Sequence, residues 1–157
     1  MQIRRALPAE AEACWHIRNQ AIRHGCRESY DAAVIAAWTP DTMPQSYRNV
    51  IRAQPFFVAV DTDDQPVATG FLDVTSGSVE AIFTLPAFTG QGLASRIIDA
   101  IKSEARARGF LQLTLFATPN AQNFYQKQGF HLVRECFYPS ALAHADLRCF
   151  EMIITLR

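Results

Sequence analysis

The stretch that decides the fold reads Pro86-Ala-Phe-Thr-Gly-Gln-Gly-Leu-Ala-Ser95. It follows a run of β-prone residues at 79–85 and precedes a segment, 93–105, in which apolar residues recur every three or four positions. Glycines in such a turn let the backbone approach a ligand closely, and the first turn of a helix offers N–H groups without intrahelical partners. The stretch therefore predicts an anion-binding turn, although a tight connection without a ligand would use the same glycines.

Two well-known phosphate-binding loops fit this turn poorly. A Walker loop needs a Gly-Lys pair followed by serine or threonine, and the stretch contains no lysine. A dinucleotide-binding fingerprint needs a third glycine at the position of Ser95. A phosphate held here would therefore require a different arrangement of the same backbone donors.

Outward from the turn, hydrophobic periodicity predicts blocks of strands and helices. Upstream lie a strand at 2–6, a helix that begins at Pro8, a weaker helix at 31–37 and strands at 56–60, 67–74 and 79–85. Downstream lie the central helix, stopped by Gly109, a strand at 111–116, a short helix at 120–128 and strands at 130–137 and 147–156. This order predicts a mixed α/β or α+β sandwich.

Length and charge limit the class of protein. The 157 residues carry 15 basic and 15 acidic side chains, and 49% of them are hydrophobic. A chain of this length can build a core without cross-links, so we expect one domain over 1–157. The balanced charge argues against a nucleic-acid partner, and the lack of a long apolar run argues against a membrane span or a secretory signal. We therefore expect a cytoplasmic protein with reduced cysteines.

One loose set of side chains has the chemistry of metal ligands. It consists of His131, Cys136, His144 and Cys149. Their spacing matches no standard zinc site, so we expect strand packing or surface positions and no metal.

The glycine-bearing turn resembles motif A of the GCN5-related N-acetyltransferase (GNAT) family. That motif reads arginine or glutamine, two residues, glycine, one residue, then glycine or alanine. Gly92 and Ala94 occupy the last two fixed positions, whereas Thr89 stands where arginine or glutamine is usual. A second stretch, 118–130, resembles a later motif of the family through Ala121, Phe124, Tyr125, Gly129 and Phe130.

The resemblance implies an α/β acyl-CoA N-acyltransferase fold, with a mixed sheet of six to seven strands flanked by about four helices. It also implies acetyl-CoA as co-substrate, with main-chain amides of the turn wrapping the diphosphate of coenzyme A. The residues that the resemblance assigns to cofactor binding are Phe83, Thr84, Leu85, Thr89, Gly90, Gln91, Gly92, Leu93, Ala94, Ser95, Asn120 and Phe124. A weaker likeness, to a small uncharacterised bacterial subgroup, names no substrate.

The implied activity is acetyl transfer to a primary amine of a small molecule or protein, by direct attack in a ternary complex. An amine with a pKa of about 10 is mostly protonated at neutral pH, so the reaction needs a base. Glu80 is the candidate, with Asp73 or a relayed water as alternatives; a solvated, outward-facing Glu80 is the simpler interpretation. Tyr125 is the candidate acid for the leaving thiolate, and an N–H between Phe83 and Leu85 is the candidate oxyanion donor.

The acceptor pocket is expected between the first helices and the connection of the last two strands. Tyr30, Trp38 and Asp73 are the candidate substrate-binding residues, and Trp15, His24 and Tyr138 are further candidates to line it. Core packing is the alternative for each. A non-catalytic acyl-CoA sensor is the rival function, and a homodimer is compatible with the sequence.

Overall fold

The computed structural model describes residues 1–157 and contains seven strands and five α-helices. The strands are β1 (Gln2–Arg5), β2 (Phe56–Val60), β3 (Pro66–Asp73), β4 (Ser78–Thr84), β5 (Gln112–Ala117), β6 (His131–Ser140) and β7 (Ala145–Thr155). The α-helices are α1 (Ala11–Gly25), α2 (Ala32–Trp38), α3 (Gln45–Ala53), α4 (Leu93–Ala107) and α5 (Gln122–Lys127). Single 3₁₀ turns, each begun by a proline, precede α1, α4 and α5.

The strands form one sheet in the order β1-β2-β3-β4-β5-β7-β6. Neighbours are antiparallel except β4 and β5, which run parallel and pair at a single position, Ser78 opposite Thr114. The Thr114 N–H donates to the Gly77 carbonyl oxygen at 3.1 Å. Beyond this point the two strands separate, so a gap opens in the middle of the sheet.

The helix α4 covers one face of the sheet. Its residues Leu93, Ile97, Ile101 and Ala105 are at most 4% exposed and belong to the largest core cluster, as their spacing predicts. Burial of each large aliphatic side chain contributes roughly 1.5–3 kcal/mol to stability. This packing fixes α4 against the sheet and holds its N-terminus beside the gap.

The helices α1 and α3 cover the opposite face. Phe56, Val58 and Val60 alternate along β2 and pack in one cluster with Cys14 of α1 and Ile51 of α3. The intervening Ala59 belongs to the α4 side. The strands β2 to β4 therefore lie between two helical layers, whereas β6 at the far edge is largely exposed.

The mixed α/β class and the upper strand number are confirmed, but the helices number five rather than about four. The helix α3, in which Ile51 is the only buried residue, was not predicted. Tyr47, Val50 and Ile51 do recur at helical spacing and pack on one cluster, but the element has only nine residues and Pro44 before it suggests a turn. No helix combines the length and apolar character required to cross a membrane.

Candidate active site

Two connected cavities lie where β4 and β5 separate. The central cavity, of about 340 Å³, is enclosed by α1, β4, β5 and the β6–β7 pair. The groove, of about 360 Å³, runs along the N-terminus of α4. The cavity and the groove are continuous, because six residues line both of them: Ile82, Thr84, Thr89, Asn120, Ala121 and Tyr125.

Most of the predicted site residues meet here. The central cavity is lined by Tyr30, Trp38, Glu80, Phe83, Thr84, Thr89, Asn120 and Tyr125. The groove adds Gly90, Gly92, Leu93, Ala94 and Phe124. Side chains of Asp73, Leu85, Gln91 and Ser95 line neither cavity.

The backbone from Gly90 to Ser95 presents a row of unused donors to the groove. No backbone hydrogen bond uses these six N–H groups, and the helical bonds begin with the Arg96 N–H, which donates to the Gly92 carbonyl oxygen at 3.1 Å. No side chain caps the helix. Unpaired N–H groups and the positive end of the helix dipole make this turn suited to an anion.

The two glycines of the turn adopt the left-handed conformation. Gly90 has a φ of 78° and Gly92 a φ of 75°, and a Cβ added at either would meet no atom within 4 Å. Other residues are strained in this conformation. The open space above both glycines leaves the backbone accessible from the groove.

A bulge shapes β4 at the entrance to the gap. The pairing of β3 with β4 shifts between Thr69 and Phe71, so β4 carries an extra residue opposite Gly70. Ala81 takes this place with a φ of 56°, and its carbonyl oxygen accepts a hydrogen bond from the Thr69 hydroxyl at 2.7 Å. A bulge of this kind redirects neighbouring groups of a strand.

Not every backbone N–H between Phe83 and Leu85 is free to act as the predicted oxyanion donor. The Leu85 N–H donates to the Val67 carbonyl oxygen of β3 at 2.9 Å, so it is unavailable to a ligand. Successive N–H groups of a strand point to opposite edges, which turns the Thr84 N–H toward the gap. By the same alternation the Phe83 N–H, opposite Thr69, points toward β3, so Thr84 rather than Phe83 or Leu85 offers a donor to the gap.

Glu80 and Tyr125 both line the central cavity and lie close enough for the charge of one to affect the other. Burial raises the pKa of Glu80, against a hydrogen bond donated by the Ser78 hydroxyl at 2.9 Å. Burial and the nearby Glu80 carboxylate raise the pKa of Tyr125. Glu80 is half-buried and lines the cavity, so its side chain does not face outward into solvent.

The α1 side of the cavity is an aromatic wall formed by Tyr30 and Trp38. Their ring centroids lie 5.7 Å apart at an interplanar angle of 88°. The Tyr30 hydroxyl donates to the Arg148 carbonyl oxygen of β7 at 2.6 Å. The Trp38 carbonyl oxygen accepts a hydrogen bond from the buried Arg18 guanidinium at 3.0 Å. The Tyr30 ring is thus fixed through its hydroxyl, and the main chain at Trp38 through its carbonyl.

Three candidates lie elsewhere. The Asp73 carboxylate accepts the N–H groups of Thr75 and Ser76 in the β3–β4 turn, as short polar side chains often do. Trp15 is buried behind the wall, where its indole N–H donates to the Pro40 carbonyl oxygen at 2.8 Å. His24 is exposed near the end of α1 and lines neither cavity.

Phe116, Cys26 and Cys149 are among the lining residues that were not predicted from the sequence. Phe116 is 52% exposed and occupies a solvent-side position in the alternation of β5. A large aromatic among polar positions was the available signal. The cysteines gave none, because a buried thiol usually indicates packing alone.

Comparisons with known proteins agree with this architecture. The family model described as an acetyltransferase (GNAT) domain matches residues 26–150. An uncharacterized acetyltransferase of Streptococcus pyogenes serotype M1 is 35% identical over 77 residues, which are 47% of this chain and 54% of that protein. The chain therefore spans about half the length of the curated relatives it matches.

Two solved structures share the fold. A GCN5-related N-acetyltransferase from Rhodopseudomonas palustris superimposes with a TM-score of 0.88 at 22% identity, covering 99% of this chain and 95% of that one. The PaiA N-acetyltransferase of Thermoplasma acidophilum, in complex with coenzyme A, gives 0.80 at 16% identity, covering 98% of each. With the family model matching most of its length, this chain belongs to the GNAT acetyltransferase family.

Proposed function

We propose that this protein transfers an acetyl group from acetyl-CoA to a primary amine by direct attack in a ternary complex. One observation carries the proposal. The six backbone N–H groups from Gly90 to Ser95 are unpaired, four of these residues line a groove, and that groove leads into a cavity holding a carboxylate and a phenol. Family membership and the coenzyme A bound by the Thermoplasma relative support acetyl-CoA as co-substrate.

The residues of the turn fit a diphosphate. Amides from Gly90 to Ser95 donate to its oxygens, and the open space above Gly90 and Gly92 admits them. Thr89 brings no charge, and its hydroxyl donates to the Pro86 carbonyl oxygen at 3.0 Å. Binding here therefore relies on the main chain, which is unaffected by the departure from the usual arginine or glutamine.

Glu80 prepares the amine. A bound thioester supplies a carbonyl that only a neutral amine attacks. Burial raises the pKa of Glu80 toward that of the amine, which makes the carboxylate a better proton acceptor than an exposed one. Glu80 removes the ammonium proton directly or through one water.

Thr84 and Tyr125 act on the other side of the reaction. The Thr84 N–H donates to the oxygen on which negative charge develops. As the carbon–sulfur bond breaks, the Tyr125 hydroxyl donates its proton to the sulfur, and the phenolate then takes the second proton from the nitrogen that has formed the new carbon–nitrogen bond. Burial keeps the hydroxyl protonated before the reaction because it raises the pKa of Tyr125. Holding amine and thioester side by side in the cavity supplies much of the remaining rate.

Two measurements test the proposal together. Thermal unfolding with and without coenzyme A reports binding, and thiol release from acetyl-CoA over a panel of primary amines reports turnover. We expect coenzyme A to raise Tm and thiol release to require an amine. A rise in Tm with no release on any amine would favour the acyl-CoA sensor instead.

A further inference from the structure

The part of the central cavity beyond the groove has an unusual balance of polarity. Glu80 is the only charged side chain in the whole lining. Apolar and aromatic side chains make up most of the rest, chiefly Tyr30, Trp38, Phe83 and Tyr138. A second charge on the acceptor would therefore enter this space without a partner, at a substantial desolvation cost.

The aromatic wall is formed before any ligand arrives. Tyr30, Trp38 and Phe83 pack on a buried cluster that contains Ile22 and Ile35. Hydrogen bonds at the Tyr30 hydroxyl and the Trp38 carbonyl tie the wall to β7 and α1. A rigid apolar wall favours a compact apolar ligand, because little conformational entropy is lost on binding.

The mouth of the cavity is also aromatic. Phe116 of β5 and Tyr138 of β6 face each other with ring centroids 5.9 Å apart, and each is about half exposed. Exposed aromatic side chains that rim a cavity commonly mark a binding site. Aromatic faces also attract a cation that passes over them, as an ammonium group must do to reach Glu80.

We propose that the acceptor is a primary monoamine on an aromatic or compact apolar body that carries no acidic group. Its ammonium group meets Glu80, and its body packs against Tyr30 and Trp38 with Tyr138 closing over it. This inference rests on the proposed acetyl transfer. The cavity volume of about 340 Å³ lies within the range of about 300–1,000 Å³ that small-molecule pockets span.

Three acceptors test the charge requirement at saturating acetyl-CoA. 2-Phenylethylamine fits the proposal, phenylalanine adds one carboxylate to it, and spermidine replaces the ring with further ammonium groups. We expect kcat/KM, expressed per free amine, to be at least tenfold higher for 2-phenylethylamine than for either of the others. Equal or higher values for phenylalanine, spermidine or a lysine peptide would overturn the inference.

Two neighbouring aromatics of β6 provide a matched pair of variants. Tyr138 lines the cavity, whereas Phe137 does not and is 64% exposed. Tyr138→Ala should lower kcat/KM for 2-phenylethylamine at least fivefold and leave the KM for acetyl-CoA unchanged. Phe137→Ala should change neither. Equal effects of the two substitutions would contradict the proposed position of the acceptor.

The panel also separates this inference from the function on which it rests. Thiol release with phenylalanine, spermidine or a lysine peptide, but not with 2-phenylethylamine, would refute the acceptor class and leave acetyl transfer standing. No release with any amine, despite binding of coenzyme A, would refute acetyl transfer and the acceptor class with it. Calorimetric titration of 2-phenylethylamine into the coenzyme A complex should then also give no heat.

Discussion

At the scale of single residues, Glu80 combines a chemical role with a cost to folding. Burial raises its pKa, so the folded protein binds the proton more tightly than the unfolded chain does. Because protonation and folding are linked, the ionised Glu80 carboxylate destabilises the fold at any pH above its folded-state pKa. This cost disappears as the pH falls below the pKa that Glu80 has in the unfolded chain. A residue kept at such a cost is a candidate for function.

Substitution of Glu80 by glutamine should therefore separate stability from activity. We expect Glu80→Gln to raise Tm at neutral pH, with the gain shrinking as the pH falls through the raised pKa. Thiol release should fall by roughly 10²-fold, the lower end for loss of a base, because proximity of the reactants remains. Unfolding and rate profiles across pH measure both effects. Asp99→Asn, at an exposed position on α4, should change neither, and full activity in Glu80→Gln would contradict the assignment.

Tyr125 must be protonated to act as an acid, whereas Glu80 must be ionised to act as a base. Burial raises its pKa above the usual value of about 10, so it stays a proton donor throughout the neutral range. We expect Tyr125→Phe to lower kcat by roughly 10²- to 10⁴-fold, since it removes only the acid. Coenzyme A affinity should change little. Single-turnover rates and titration calorimetry measure the two quantities, and an unchanged kcat across pH would exclude Tyr125 as the acid.

At the scale of elements, α4 offers an internal control for its own N-terminal turn. Gly92 before the helix and Gly109 after it both have positive φ, 75° and 85°, and both have open space around an added Cβ. Alanine at either position should cost roughly 1–2 kcal/mol of stability, because it is strained in that conformation. Only Gly92→Ala should also weaken coenzyme A binding, by about tenfold, because its methyl group would occupy the open space through which the diphosphate approaches the main chain. Equal affinities of the two variants would contradict the turn as the binding element.

Gly70 of β3 lies opposite the bulge of β4, where the neighbouring side chains leave no room for a Cβ. A Cβ at this position would lie 2.5 Å from Ile82 Cδ1 and 2.6 Å from Ile97 Cγ2. Ile97 is fully buried and cannot move aside, so we expect Gly70→Ala to destabilise the fold by roughly 1–3 kcal/mol. Displacement of Ile82, which lines both cavities, should also raise the KM for acetyl-CoA. Urea unfolding and steady-state kinetics test this, and an unaffected variant would show that the contact is not constraining.

At the scale of the whole molecule, local sequence patterns predicted the individual elements but not how distant strands pair. The periodicity of α4 and the β-prone runs of β2 and β3, joined by a stretch of turn-forming residues, were enough to predict those elements. The glycine turn and the Phe124-Tyr125 pair were found through motifs with a fixed order along the chain. The separation of β4 from β5 depends on contacts between distant segments, and no local pattern encodes it. The bulge gave no signal either, because alanine at position 81 adopts a conformation that usually requires glycine.

The central claim is that amides at the start of α4 hold the diphosphate of coenzyme A and direct its sulfur toward Tyr125. A crystal structure of the protein with coenzyme A tests this most directly. We predict diphosphate oxygens within hydrogen-bonding distance of the N–H groups between Gly90 and Ser95, and the sulfur within reach of the Tyr125 hydroxyl. A nucleotide bound elsewhere, with these six amides facing only solvent, would contradict the claim.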